Sequence, residues 1–303
     1  IRHSVKSLPH SLYGFQMASL IRHSVKSLLS SRLASNKLIN FPRCCASTHF
    51  GFETVDEKEK QAKVDEVFTG VADKYDLMND AMSAGIHRIW KNLFVHSIMP
   101  TSNLNCLDVA GGTGDIAIRM ARLSKNVTGQ HHSLTEKGRK TLPKITVCDI
   151  NDAMMEVGRA KANALGLTEI EWVQGNAENL PFDDNMFDLY TIAYGIRNCT
   201  HIDKVLEEAY RVLKSGGRFC CLEFSRVQNP LLRKFYDAYS MRLIPVMGQL
   251  IAGDWHSYQY LVESIRRFPD QEEFASMIEA AGFRSVKWTN YTFGVTAVHV
   301  GIK

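Results

Sequence analysis

The stretch Cys106-Leu107-Asp108-Val109-Ala110-Gly111-Gly112-Thr113-Gly114-Asp115 decides how this chain is read. Its apolar first half ends near a carboxylate and passes into three glycines within four positions. It then enters Ile116, Ala117, Met120, Ala121 and Leu123, an apolar stripe at helical spacing. The pattern predicts a strand, a tight turn and a helix. Glycines let such a turn bend sharply and approach a ligand without Cβ interference, and the helix start supplies unpaired N–H groups. A nucleotide-like ligand fits that description.

Gly112-Thr113-Gly114-Asp115-Ile116-Ala117 also matches the G-x-G-x-x-G/A dinucleotide fingerprint. Asp108 separates the two readings. A carboxylate where the strand meets the loop repels a pyrophosphate and favours a cationic ligand. S-adenosylmethionine carries a sulfonium and an ammonium, and an acid opening a glycine loop resembles the class I methyltransferases. Asp108, Gly112, Thr113 and Gly114 are therefore candidate cofactor residues.

Outward from the loop, Ile145–Cys148 predicts the second strand, ending at Asp149. An acid at that position of an α/β sheet receives the two ribose hydroxyls of an adenosyl cofactor. Ile170–Gln174 predicts the third strand and leads to Gly175-Asn176-Ala177, where Asn176 can bond the adenine amine and Ala177 leaves room for the ring. Phe187–Ala193 predicts a fourth strand followed by Tyr194-Gly195-Ile196-Arg197-Asn198. Thr200 with Asp203 reads as a capping box for the next helix, and Arg218–Glu223 as strand five. A last helix, Asp270–Ala281, precedes a closing strand pair. The expected fold is α/β: a Rossmann-like, seven-stranded, mostly parallel sheet with helices on both faces and a C-terminal antiparallel hairpin.

Residues 1–52 hold seven bases and no acid, which leaves 29 bases against 32 acids in residues 53–303. The body is not basic, and this balance argues against a nucleic-acid partner. The leader is Ser-rich, with Ile21, Val25, Leu28 and Leu29 on one helical face beside Arg22 and Lys26, as in a mitochondrial transit peptide. Ile1–Leu8 recurs as Ile21–Leu28 and the first methionine is Met17, so synthesis is expected to start at Met17. Within 53–303 we expect a helical cap over 53–99, a polar insertion over 124–142 that includes His131 and His132, and a helical lid over 229–268. The lid is aromatic enough to roof a pocket for an apolar substrate. The seven cysteines form no C-x-x-C pair, and no metal site is readable.

Further motifs are Tyr75-Asp76-Leu77-Met78-Asn79-Asp80 with His87-Arg88-Ile89-Trp90-Lys91, then Ile196-Arg197-Asn198 and Tyr260–Ile265. With the glycine loop and Gly175–Phe182 they resemble the ubiquinone/menaquinone C-methyltransferase family over roughly residues 60–303. The resemblance implies methyl transfer from S-adenosyl-L-methionine to a ring carbon of a prenylated benzoquinol, without a metal. It also implies a peripheral place on the matrix side of the inner mitochondrial membrane, beside other subunits of the ubiquinone biosynthesis complex, and it carries over Thr113, Asp149, Asn176 and Ala177 as cofactor contacts. The sequence leaves a homodimer open.

For such chemistry a ring carbon needs a neighbouring phenolate. Arg197 is expected to stabilise that charge with Asn198 as a second donor, and Asp76, alone or through water held with Tyr75, to receive the proton. The alternative for Arg197 is a bracing salt bridge to Asp203 or Glu223. A non-catalytic scaffold of the complex, a methyltransferase for another small aromatic and an NAD-dependent dehydrogenase are the competing functions; intact Asp108, Gly112, Gly114 and Asp149 disfavour the first, and Asp108 with the closing hairpin disfavours the last.

Overall fold

A computed structural model describes residues 47–71, 75–100, 103–129, 142–253 and 255–303. The transit-peptide segment, Met17 and the His131–His132 pair lie outside the described residues.

The chain enters as a short hairpin, β1 (Ser47–Phe50) with β2 (Glu53–Asp56), in which Ser47 pairs with Asp56 and Phe50 with Glu53. The folded body therefore starts before the expected boundary at residue 53. Three helices follow, α1 (Glu57–Val71), α2 (Tyr75–Ser83) and α3 (Ile86–Ile98). Gly85, at φ 77°, takes the left-handed turn that separates α2 from α3.

The glycine stretch forms strand β3 (Asn105–Val109) and helix α4 (Asp115–Gly129) as the hydrophobic pattern predicts. Helix α4 runs five residues past Ser124, so the first part of the expected polar insertion is helical. Then come β4 (Lys144–Asp149), α5 (Asp152–Ala164), β5 (Glu171–Gln174), β6 (Phe187–Ala193), α6 (Ile202–Val212) and β7 (Leu213–Phe224). The lid is three helices, α7 (Pro230–Arg242), α8 (Ile244–Ala252) and α9 (Trp255–Arg267). Helix α10 (Gln271–Ala280) and strands β8 (Arg284–Tyr291) and β9 (Thr296–Ile302) close the chain.

The seven-stranded sheet runs β5-β4-β3-β6-β7-β9-β8. The pairs among β3 to β7 are parallel, and β9 lies antiparallel between β7 and β8. Strand alternation divides the core between the two faces. Cys106, Leu189, Cys220 and Leu222 face α3 and α4, whereas Leu107, Tyr190, Ile192, Phe219 and Cys221 face α6 and α10. The strand cysteines are buried thiols, and burial pushes Cys106, Cys148 and Cys220 up to about 12. On α6 the apolar residues Val205, Leu206, Ala209 and Val212 are fully buried.

The Thr200–Asp203 capping box is not formed. Glu178, reaching over from the segment after β5, accepts from Thr200 N at 2.6 Å and from His201 N at 3.1 Å, and so occupies the helix N-terminus itself. In this topology β4 and β6 flank β3 on opposite sides, and ligand crevices of open parallel sheets form at such a switch point.

Candidate active site

A cleft of about 1100 Å³, counting its open mouth, lies at the carboxyl ends of β3, β4 and β6. It is lined by Gly111, Gly112 and Thr113 of the loop, by Asp149, by Asn176 and Ala177, and by Tyr194 and Asn198. Helix α1 covers it with Val64, Asp65 and Phe68. Asn151 Nδ2 holds that cover in place by donating to Asp65 Oδ1 at 2.6 Å and to Thr69 Oγ1 at 2.8 Å.

Gly112 N donates to Asp149 Oδ2 at 2.7 Å, and Asn151 N donates to Asp149 Oδ1 at 2.9 Å. Two backbone donors fix the carboxylate at the cleft wall and leave each oxygen a further lone pair. Burial raises its carboxyl above the ordinary range, opposed by those N–H bonds. Gly111 must lack a side chain, because a Cβ there would lie 2.7 Å from Val147 Cγ1. These features fit an adenosyl ligand: a narrow backbone cradle, a paired acceptor, and an amide beside a small residue.

Two expected cofactor residues stand elsewhere. Asp108 points beneath the loop, where it is almost wholly buried; Oδ1 accepts from Thr191 Oγ1 at 2.8 Å and Oδ2 has no partner among the described residues. Strand alternation puts it on the face of Cys106, under α4, instead of at the cleft wall. Burial pushes it up to about 7. Gly114, at φ +70°, packs on Trp172, where a Cβ would lie 2.5 Å from Cη2; its glycine serves helix packing.

A second, more apolar cavity of about 1040 Å³ adjoins the first and shares Phe68, Lys91, Tyr194 and Asn198 with it. Trp90, Phe224, Tyr236, Tyr239 and Tyr260 supply aromatic walls, so the lid does roof an apolar pocket. Tyr239 OH donates to Met82 O at 2.8 Å, and Phe50 stacks on Tyr260 at 4.1 Å, tying lid to cap and entry hairpin.

Arg197 and Asn198, in a short 3₁₀ turn after β6, both line this cavity. Tyr260 OH donates to Asn198 Oδ1 at 3.1 Å, leaving the Asn198 amide N–H groups free to donate. Arg197 Nη1 donates to Glu223 Oε1 at 2.9 Å and to Tyr194 O, and its guanidinium lies over the Phe224 ring. Of the two bracing partners considered from sequence, Glu223 is the one in place. The pair is buried, with side-chain exposures of 5% and 1%, so much of the arginine charge is already matched.

Asp76 is not brought to this cavity. It pairs with Lys161 of α5 at 2.6 Å on a partly exposed face, because α2 turns its first residues toward α5. Tyr75 begins α2, and its side chain lies outside the described set.

Sequence reasoning missed Lys91 and His87, although both stand in a quoted motif. Lys91 is buried and its Nζ donates to Asp115 Oδ2 at 2.8 Å between the two cavities. Burial alone would raise Asp115, but the Lys91 and Arg119 cations hold it down at about 2. The available signal was an acid at the end of the glycine loop with a lysine in an apolar helix.

The ubiE/COQ5 methyltransferase family model matches residues 56–303. The chain belongs to this family. The 2-methoxy-6-polyprenyl-1,4-benzoquinol methylase, mitochondrial, of Danio rerio is 53% identical over 276 residues, covering 85% of this chain and 84% of the relative. The protein of that name in Drosophila melanogaster is 54% identical over 264 residues, covering 85% of each. Among solved structures, an S-adenosylmethionine-dependent methyltransferase of Thermotoga maritima superposes with a TM-score of 0.53 at 19% identity over 78% of this chain and 99% of that one, which speaks for the fold. Family and sheet together make this chain a methyltransferase.

Proposed function

We propose that the chain methylates a ring carbon of 2-methoxy-6-polyprenyl-1,4-benzoquinol, with S-adenosyl-L-methionine as methyl donor. The observation that carries the reading is the pair of adjoining cavities joined at Tyr194 and Asn198, one built for an adenosyl group and the other aromatic and apolar. Bound S-adenosylmethionine supplies an electrophilic methyl on a sulfonium. Asp149 would hold the ribose, Asn176 and Ala177 the adenine, and the backbone of Gly111–Thr113 the amino-acid end. Asn198 donates toward a quinol oxygen, and the Arg197–Glu223 pair sets the field around it. The aromatic walls exclude water, which strengthens both effects.

We place the protein at the matrix face of the inner mitochondrial membrane, in contact with other quinone-biosynthesis subunits. Exposed Leu231, Phe235 and Leu250 on α7 and α8, flanked by Arg233 and Lys234, support a peripheral membrane contact. No helix among the described residues is long and apolar enough to cross a membrane. Incubating the purified chain with S-adenosylmethionine and a short-chain 2-methoxy-6-prenyl-1,4-benzoquinol, kept reduced, should yield a ring-methylated product by mass spectrometry and proton NMR. Methylation at oxygen, or none, would refute the reading.

A further inference from the structure

Displacing Asp76 from the aromatic cavity leaves its proton acceptor unassigned, and one group meets the need. His87, in the first turn of α3, lines the cavity and is only 6% exposed. Its Nε2 lies 2.8 Å from Asp80 Oδ1, and its Nδ1 is buried with no partner among the described residues. Asp80 is itself gripped by Arg88, whose Nε and Nη2 donate to its two oxygens at 2.6 Å. The hydrogen bonds from Arg88 and His87 hold the Asp80 carboxyl well below the usual range, so it is ionised and can only accept. Nε2 must then carry the proton of the neutral ring. Nδ1 is left as a buried lone-pair acceptor, on a side chain that lines the cavity, with no protein donor among the described residues.

The geometry points to His87 Nδ1 as the general base that takes the quinol hydroxyl proton, with Asp80 as its positioning residue. This rests on the quinol reading of the cavity. Burial first, and then the Lys91 cation, hold the imidazole below its ordinary value against the pull of Asp80 and Asp115. The positive end of α3 acts in the same direction. The ring therefore stands neutral near pH 7, ready to accept a proton.

The O–H bond of the quinol breaks, its proton passes to Nδ1, and its electron pair raises the density on the adjacent ring carbon. That carbon forms the new bond to the methyl group, while the pair of the broken methyl–sulfur bond stays on sulfur. The ring is then a neutral dienone. Loss of the C–H proton to water restores aromaticity while Nδ1–H returns its proton to the oxygen, so one proton is released per turnover and His87 ends as it began.

Nitrogen-15 NMR and enzyme kinetics test this. Nitrogen-15 NMR of histidine-labelled protein at pH 7.5, with His87 assigned from the signal lost in His87→Ala or His87→Gln, should show Nε2 protonated and Nδ1 bare. His87→Ala should keep its S-adenosylmethionine dissociation constant within about twofold yet turn over at least a hundredfold slower, the scale for losing a general base. Millimolar imidazole should restore part of that loss. In the unmodified enzyme kcat should fall as pH drops below the histidine range, a limb absent from the variant. The groups around His87 that set this limb are Asp80, Arg88, Lys91 and Asp115. A protonated Nδ1 in the unmodified protein, turnover of His87→Ala within about threefold of normal, or a loss that imidazole does not relieve would overturn the proposal. If the unmodified chain methylated no quinol, the substrate reading would fail while the tautomer still judged His87.

Discussion

Replacing Arg197 by alanine is expected to cost about 3–5 kcal/mol of folding stability at pH 7.5, the range for stripping one partner from a buried ion pair. The Nη1–Oε1 distance is 2.9 Å and neither side chain is more than 5% exposed, so an exposed pair's 0–1 kcal/mol does not apply. Without the guanidinium, Glu223 keeps backbone hydrogen bonds from the N–H of Phe224 at 2.8 Å and from the Arg197 backbone, but no cation. Burial already raises the Glu223 carboxyl, with Arg197 opposing. Losing Arg197 raises it further.

The folded variant then binds more protons than the unfolded chain between the unfolded carboxylate value, about 4.3, and the higher folded one. Its stability is therefore greatest below that window and falls as pH rises through it. Urea unfolding at pH 5 and pH 8 should show a deficit that shrinks at the lower pH. Adding Glu223→Gln to Arg197→Ala should recover most of it and remove its pH dependence. A deficit below about 1 kcal/mol, or one indifferent to pH, would refute the buried-pair argument. The catalytic share of Arg197 is thus read from kcat of the double variant against Glu223→Gln alone, with a drop of about a hundredfold expected if its charge stabilises the phenolate.

Asp149→Ala should weaken S-adenosylmethionine binding by about 2–3 kcal/mol, roughly 30- to 150-fold by titration calorimetry, with the melting curve little changed; unaltered affinity would show that the ribose lies elsewhere. Gly114→Ala should destabilise the chain by at least about 2 kcal/mol in thermal melts, from the left-handed backbone and the clash with Trp172. Asp108, raised to about 7, contributes stability that is largest near pH 4 and lost as pH rises through 7, so Asp108→Asn should gain on the parent between pH 5 and pH 8 in urea unfolding. N-terminal sequencing of protein isolated from mitochondria should begin near Ala46; a mature form starting at Met17 would remove the transit-peptide reading.

The alternating core strands, the glycine loop, the acid ending β4 and the Asn176-Ala177 turn were readable from the chain, because each is encoded within a few consecutive residues. Strand period, turn chemistry and helical stripes act over that range, and the order of β and α elements then fixes which strand ends meet at the crevice. Asp108 shows the limit: its place in the motif was legible, but the face its side chain takes depends on strand pairing, and it went under the loop. Distant pairings were mostly beyond sequence reasoning: Glu178 caps a helix 22 residues on and Asp76 finds Lys161 across 85 positions, whereas Glu223 was one of two acids already considered for Arg197. No local rule selects among the 32 acids and 36 bases that could pair. The packing of α2 and α3 under the lid alone turned Asp76 outward and left His87 in the aromatic cavity, since burial and partner choice are settled by how elements dock and not by the residues that form them.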